Sequence, residues 1–226
     1  MKYIQGRVSA NSPDQAALKI RKEYGEGKLT ILEACPAMKW YEFVIKLEEG
    51  QAMFPNKKYK TIYADPPWKE SGGGKIKRGA DRHYSLMSTK EIMKLPVDEI
   101  ADYDCHLYLW VTNNFLKDGL KVMEAWGFRY ITTITWVKDR VGLGQYFRGI
   151  TEHCLFGVKG KLPYKKDKHG KRKQGKTVIH APKNKHSEKP EEMRQMIEKV
   201  SYPPYIELFA RKQIENWDCW GNEICG

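Results

Sequence analysis

The sequence predicts an α/β protein: strands and helices alternate from residue 59 onward, and a small α/β unit over residues 1–50 precedes them. Three observations carry this. Short β-branched or aromatic runs alternate with amphipathic stretches, the pattern of a mostly parallel sheet covered on both faces. The composition, 41% hydrophobic and 30% charged over 226 residues, supports one ordinary core plus an appendage. Glu48-Glu-Gly-Gln51 reads as a linker, leaving residues 51–226 as the main domain.

In the first unit, residues 2–8 alternate as a strand does. Ser12-Pro-Asp-Gln15 then supplies an N-cap, a proline at the first helical position and an acidic first turn. Ala16, Ala17, Ile20 and Tyr24 follow at helical spacing, and Gly25 and Gly27 end the run. Residues 29–34 and 40–47 are further strand candidates. This unit shows no chemistry of its own. It reads equally as a nucleic-acid recognition module and as a structural extension.

In the main domain the strand candidates are residues 60–64, 106–111, 130–137, 154–158 and 205–210. Helices are predicted over 88–100, opened by the capping box Ser88-Thr-Lys-Glu91, over 115–126, ended by Gly127, and over 187–200. Residues 69–83, 140–149 and 159–185 fit neither period. Long irregular segments in a compact domain are commonly functional.

No apolar run approaches the ~20 residues that a membrane-crossing helix needs. The start lacks the apolar stretch and small-residue cleavage site of a secretory signal. The expectation is a soluble, cytoplasmic protein. Five scattered cysteines without a C-x-x-C pair argue against a disulfide framework and against tetrahedral zinc. The histidines add no ligand spacing, so no metal is expected. Ser71-Gly-Gly-Gly-Lys75 resembles a phosphate loop only superficially: the first glycine is missing, and Ile76 stands where Ser or Thr belongs.

The formal net charge is +12. Residues 159–185 hold eleven Lys or Arg against one acid, Asp167, so this segment carries +10 of it. A basic block on a nearly neutral body reads as a docking surface for a polyanion. The alternative is a solvated loop whose charge only aids solubility. Lys165, Lys166, Lys171, Arg172 and Lys173 are its candidate nucleic-acid contacts.

The tetrad Asp65-Pro-Pro-Trp68 directly follows the strand candidate 60–64, where ligand sites of open α/β sheets lie. A carboxylate and a backbone carbonyl are both acceptors, suited to the two N–H groups of an exocyclic amine. Pro66 and Pro67 stiffen the turn that aims the carbonyl. Trp68 offers a flat face to an extruded base. The alternative is a proline-rich turn with a buried tryptophan.

The wider pattern goes further. Ala64-Asp-Pro-Pro-Trp68, His83-Tyr-Ser-Leu-Met-Ser88, Leu107-Tyr-Leu-Trp-Val-Thr112 and Thr135-Trp-Val-Lys138 occur in order. Glu152-His-Cys-Leu-Phe-Gly-Val-Lys-Gly160, Ser187-Glu-Lys-Pro-Glu-Glu192, Ile206-Glu-Leu-Phe-Ala-Arg211 and Trp220-Gly-Asn-Glu223 follow. From about residue 59 to 223 the chain resembles the MT-A70 family of adenine-N6 methyltransferases.

The resemblance implies a Rossmann-like class I methyltransferase sheet with permuted motif order, the catalytic tetrad preceding the cofactor strand. It implies S-adenosylmethionine as methyl donor and Asp65, Pro66, Pro67 and Trp68 as the catalytic tetrad. Asp65 would also meet the amino end of the cofactor and Lys189 its carboxylate. Glu207, Phe209 and Arg211 would lie around the ribose, Asn222 and Glu223 near the cofactor's adenine, and Tyr84 on the substrate side. After Arg211 the chain departs from the eukaryotic pattern, so no ribose contact carries over to Gln213 or Asn216.

Blander readings stand beside these roles. Glu207 could simply pair with Arg211, Lys189 could be an exposed helix lysine, and Tyr84 could be packing. Glu152 and His153 look like an acid/base pair, but a satisfied histidine at a strand end is the commoner case. The functional expectation is a site-specific DNA adenine-N6 methyltransferase. RNA methylation and a non-catalytic nucleic-acid-binding subunit are the alternatives; the presence of both Asp65 and Trp68 speaks against the last. A homodimer or a related partner subunit stays open as the assembly.

Overall fold

The computed structural model describes residues 2–24, 28–35, 40–47, 54–69, 86–142, 146–161, 164–183 and 188–221. The chain divides into two units, Met1–Pro55 and Asn56–Gly226.

In the first, strands β1 (Lys2–Ser9), β2 (Lys28–Cys35) and β3 (Trp40–Leu47) form an antiparallel sheet in the order β1-β3-β2. Helix α1 (Pro13–Tyr24) begins where Ser12 Oγ accepts the Gln15 N–H at 3.2 Å. Ala16 and Ile20, one helical turn apart, are fully buried.

The second unit is built on a seven-stranded sheet of order β10-β9-β4-β5-β7-β6-β8. Its strands are β4 (Tyr59–Ala64), β5 (Ala101–Val111), β6 (Arg129–Val137), β7 (Thr151–Lys159), β8 (Val178–His180), β9 (Tyr205–Leu208) and β10 (Trp217–Trp220). Six strands point the same way and β7 runs against them. The carboxyl ends of the six and the start of β7 therefore share one edge. Everything predicted to be catalytic falls there.

Both faces of the sheet are covered, because alternate residues of a strand point to opposite sides. On one side Tyr63, Tyr108, Trp110, Trp136 and Phe156 pack with Met193 and Ile197 of helix α5 (Glu191–Val200). On the other, Val111 and Leu155 lie so close to Gly119 of helix α4 (Leu116–Ala125) that a Cβ there would collide with both. Three indoles are fully buried, and each N–H finds an acceptor: Trp110 on Tyr63 Oη, Trp126 on the Ile92 carbonyl, Trp136 on the Ala181 carbonyl.

Two predicted helices are shorter than their sequence pattern. The run over 88–100 splits into α2 (Thr89–Met93), with the Ser88/Glu91 capping box in place, and α3 (Val97–Ile100). Pro96 lies between them, and it can neither donate to a helical ladder nor let Leu95 stay helical. Pro190 likewise holds the start of α5 at Glu191 and leaves Lys189 in the preceding loop. Strands β8 and β10 were not apparent in sequence. Each is three or four residues at a sheet edge, too short for a readable period.

Candidate active site

Asp65 is the first residue beyond β4, and its N–H donates to the Leu208 carbonyl at the end of β9, 3.4 Å away. The next two carbonyls are also engaged. Pro66 accepts from the Trp68 N–H at 2.9 Å, and Pro67 from the Met87 N–H at 2.8 Å. A carbonyl oxygen has two lone pairs, so Pro66 keeps one for a further donor. Trp68 is held at two points: its indole N–H donates to the Trp110 carbonyl at 2.9 Å, and its ring stacks on Phe115 with centroids 5.2 Å apart. Phe115 thus covers one face of this indole.

Opposite the tetrad stands Lys189, with only 15% of its side chain exposed. Its Nζ lies 2.7 Å from Asp65 Oδ2, 3.5 Å from Glu152 Oε2 and 5.4 Å from the centre of the Trp110 ring. Glu152 Oε1 accepts in turn from Lys138 Nζ, which lies over the Trp136 ring. Asp65, Lys189, Glu152 and Lys138 form a chain of alternating charge. Burial opposes the Lys189 charge, yet Asp65 and Glu152 more than offset it and hold its pKa above the ordinary lysine value. Burial pushes the Glu152 carboxyl up, and Lys189 with Lys138 outweighs that push and brings it below the ordinary carboxylate range.

Glu207 in β9 does not pair with Arg211. Its Oε2 accepts from Arg194 Nη2 at 2.8 Å, because α5 packs directly on the sheet beneath it. Arg194 also bonds Glu191 and rests on the rings of Tyr63 and Trp217 at 5.9 Å each. The guanidinium Nε is buried and makes no hydrogen bond among the described residues. Burial raises the Glu207 pKa above its ordinary value; Arg194 opposes this, and the charges of Asp65 and Glu191 add to it.

Phe209, the residue after β9, has φ 62°, a left-handed conformation uncommon outside glycine, and its ring meets Trp220 edge-on at 5.5 Å. Backbone strain of this kind collects at functional sites. Arg211 is exposed, close enough that its charge works against that of Lys189. Gln213 is exposed and donates to the Trp217 carbonyl at 3.1 Å. Tyr84, Asn222, Glu223 and the glycine run at 71–75 lie outside the described residues.

The two halves of the Glu152/His153 pair serve different ends. His153 Nε2 meets Asn113 Oδ1 at 2.6 Å and its Nδ1 meets Thr135 Oγ1 at 3.1 Å, while burial lowers its pKa. It is a satisfied strand histidine; Glu152 faces the charge chain.

The basic residues sit elsewhere. Lys165 donates its backbone N–H to the Val200 carbonyl and its ammonium to the Glu198 carbonyl and Tyr205 Oη. These acceptors are the end of α5 and the start of β9, at the edge of the sheet opposite Asp65. Lys166, Lys171, Arg172 and Lys173 follow in the same exposed hairpin. The structure does not bring them to the tetrad.

Lys138, Trp110, Phe115 and Arg194 were missed as site members. Lys138 closes the motif Thr135-Trp-Val-Lys138 and Trp110 stands in Leu107-Tyr-Leu-Trp-Val-Thr112, both of them signals; Phe115 and Arg194 become neighbours only through sheet and helix packing. Among the described residues, no group of three His, Cys, Asp or Glu could hold a metal ion, and no helix is long and apolar enough to cross a membrane.

Comparison with known proteins agrees with this geometry. The chain is 33% identical over 200 residues to the Type II methyltransferase M.MunI of a Mycoplasma species, covering 79% of this chain and 83% of that one. It is 31% identical over 190 residues to the N(6)-adenosine-methyltransferase catalytic subunit METTL3 of Homo sapiens, covering 75% of this chain and 29% of the relative. A putative N(6)-adenosine-methyltransferase MT-A70-like protein of Medicago truncatula is 30% identical over 184 residues, 75% of this chain and 27% of its own. The chain thus spans just over a quarter of those two longer relatives. Residues 59–223 match the MT-A70 family, and a motif series on a sheet edge of this construction leads to one assignment: the chain belongs to the MT-A70 family.

Proposed function

We propose that this chain transfers a methyl group from S-adenosylmethionine to the N6 amino group of adenine in DNA. The observation that carries the reading is the Asp65 carboxylate, held by Lys189 beside the proline-stiffened Pro66 carbonyl at the carboxyl edge of the sheet. An aromatic amine is a poor nucleophile because its lone pair is delocalised into the ring. Two fixed acceptors hold its hydrogens and let the nitrogen rehybridise, at no reorganisation cost during reaction. S-adenosylmethionine held by Asp65 and Lys189 would supply the methyl from its sulfonium to that lone pair, its bonding pair staying on sulfur, and the amine would then release one proton to water.

The residues present fit the cofactor. Its amino-acid end carries an ammonium and a carboxylate, and Asp65 with Lys189 presents the complementary charges side by side. Glu207, Phe209 and Arg211 surround the end of β9, where an acidic side chain commonly binds ribose hydroxyls. Lys138 and Glu152 line the same edge beside Lys189. The hairpin joining β6 and β7 at this edge presents Tyr146 and Phe147, 92% and 90% exposed, beside Arg148. Exposed aromatics next to cations suit contact with stacked bases and phosphates.

DNA is favoured because the Type II methyltransferase M.MunI is matched over most of its length. RNA is the second reading, supported by the names of the N(6)-adenosine-methyltransferase relatives. Transfer of labelled methyl to duplex DNA, single-stranded DNA and RNA separates them. DNA labelled at adenine N6 is the expected result; label confined to RNA, or no transfer at all, overturns the proposal.

A further inference from the structure

We infer that the basic hairpin over residues 164–173 is a second nucleic-acid site, which grips the sugar–phosphate backbone several base pairs away from the reacting adenine. The inference rests on the nucleic-acid reading above and adds to it where, and how, the substrate is held.

The hairpin is built and anchored. Lys166 and Arg172 form an antiparallel bridge, and the Lys173 N–H donates to the Lys165 carbonyl at 2.8 Å. The turn is closed by Asp167, whose Oδ1 accepts the N–H groups of His169 and Lys171, both at 2.9 Å, with Gly170 at φ 76°. Such a turn needs an Asx side chain and a residue tolerant of positive φ. Lys165 then ties the hairpin to α5 and β9 through three hydrogen bonds.

On this frame Lys166, Lys168, Lys171, Arg172 and Lys173 are all exposed, and none makes an ion pair with a described residue. Holding five cations on one short hairpin is self-repulsive, and a polyanion removes that cost. Their number and spacing on an ordered turn suit a run of phosphates rather than a single anion. Phosphate contacts position a duplex without reading its sequence.

The location gives the inference its content. Helix α5 starts two residues after Lys189, which touches Asp65, and ends at Val200, which touches Lys165. Its ten residues span about 15 Å. A duplex that follows α5 from Asp65 therefore meets the hairpin ~4 base pairs from the adenine, at roughly 3.4 Å per base pair. A short duplex centred on the target can fill the active site without reaching the hairpin.

The test uses the full chain and a quintuple variant, K166Q/K168Q/K171Q/R172Q/K173Q, with Lys165 left intact to keep the anchor. Circular dichroism checks that the fold is unchanged. Two duplexes carry the same target adenine at their centre, mapped from modified bases in DNA of cells expressing the chain; one has ~6 base pairs closed by a non-nucleotide linker, reaching ~3 base pairs to either side, and one has ~40. The wild type should show kcat/KM at least tenfold higher on the long duplex. The variant should treat both as the wild type treats the short one, and its salt slope on the long duplex should fall by roughly 3 to 5, at ~0.9 per lost phosphate contact. A variant that keeps the length preference and the slope overturns the inference. Should neither protein methylate any nucleic acid, the reading of the active site has failed; anisotropy with the long duplex then still judges the hairpin, whose role is refuted if wild type and variant bind alike.

Discussion

The ammonium of Lys189 lies 2.7 Å from a carboxylate oxygen of Asp65, although 124 residues separate the two in sequence. Asp65 directly follows a central strand and Lys189 stands just before the helix that packs across it, so the contact is a product of the crossover. It places a cation and an anion side by side, with Glu152 and Lys138 continuing the alternation.

Replacing Asp65 with Ala removes the only carboxylate attached to the proline turn. We expect methyl transfer to fall by at least ~100-fold, the scale seen when one preorganised polar group is lost from a reacting centre. The far-ultraviolet dichroism should match wild type, since Asp65 is anchored through its backbone. Retention of more than a tenth of the wild-type rate would refute its role.

Lys189→Met should raise the S-adenosylmethionine concentration needed for half-maximal rate about tenfold or more, and leave duplex affinity nearly unchanged. On the proposed reading the variant would leave the cofactor carboxylate without its partner, and it removes the cation between Asp65 and Glu152. Cofactor titration by calorimetry, beside duplex binding by anisotropy, separates the two effects; equal loss in both would contradict the assignment.

Glu152 should make a pH-dependent contribution to stability. Its folded-state pKa is depressed below the ordinary 4.5, so the stabilisation is fully present above that value and is lost as pH falls through the folded one. Glu152→Gln should cost on the order of 2 kcal/mol at pH 7, a partly exposed case of breaking a buried ion pair. Urea midpoints at pH 7 and pH 3 check this. The gap between wild type and variant should be wide at the first and narrower at the second, because the stabilisation is lost as pH falls through the depressed pKa.

Arg194→Met should be strongly destabilising, by roughly 3 kcal/mol, because Glu207 would be left as an uncompensated buried carboxylate. Adding Glu207→Gln to that variant should restore much of the loss. Chemical denaturation of the two single variants and the double variant gives the coupling directly. Additive losses would show that the two side chains do not depend on each other.

Much of this protein is legible along the chain. The strand candidates ending at Ala64, Val111 and Val137, the Ser88 capping box and the tetrad at Asp65 all depend on neighbours within a few residues. Such local patterns survive in one dimension. The errors share a cause as well: Pro96 and Pro190 cut helices whose apolar spacing ran through them, and β8 and β10 exist only because β6 and β9 offer them an edge.

From its amino acids alone the chain determined an α/β sheet, a turn of two prolines between an aspartate and a tryptophan at a strand end, and a basic segment on a nearly neutral body. Tertiary structure decided the partners. Glu207 meets Arg194 rather than Arg211, Glu152 joins the charge chain while His153 is satisfied elsewhere, and the basic hairpin hangs from the far end of α5. The reason is geometric. Periodicity and turn chemistry are set by residues adjacent in the chain, whereas an ion pair needs a few ångströms between groups that only strand order and helix crossing bring together.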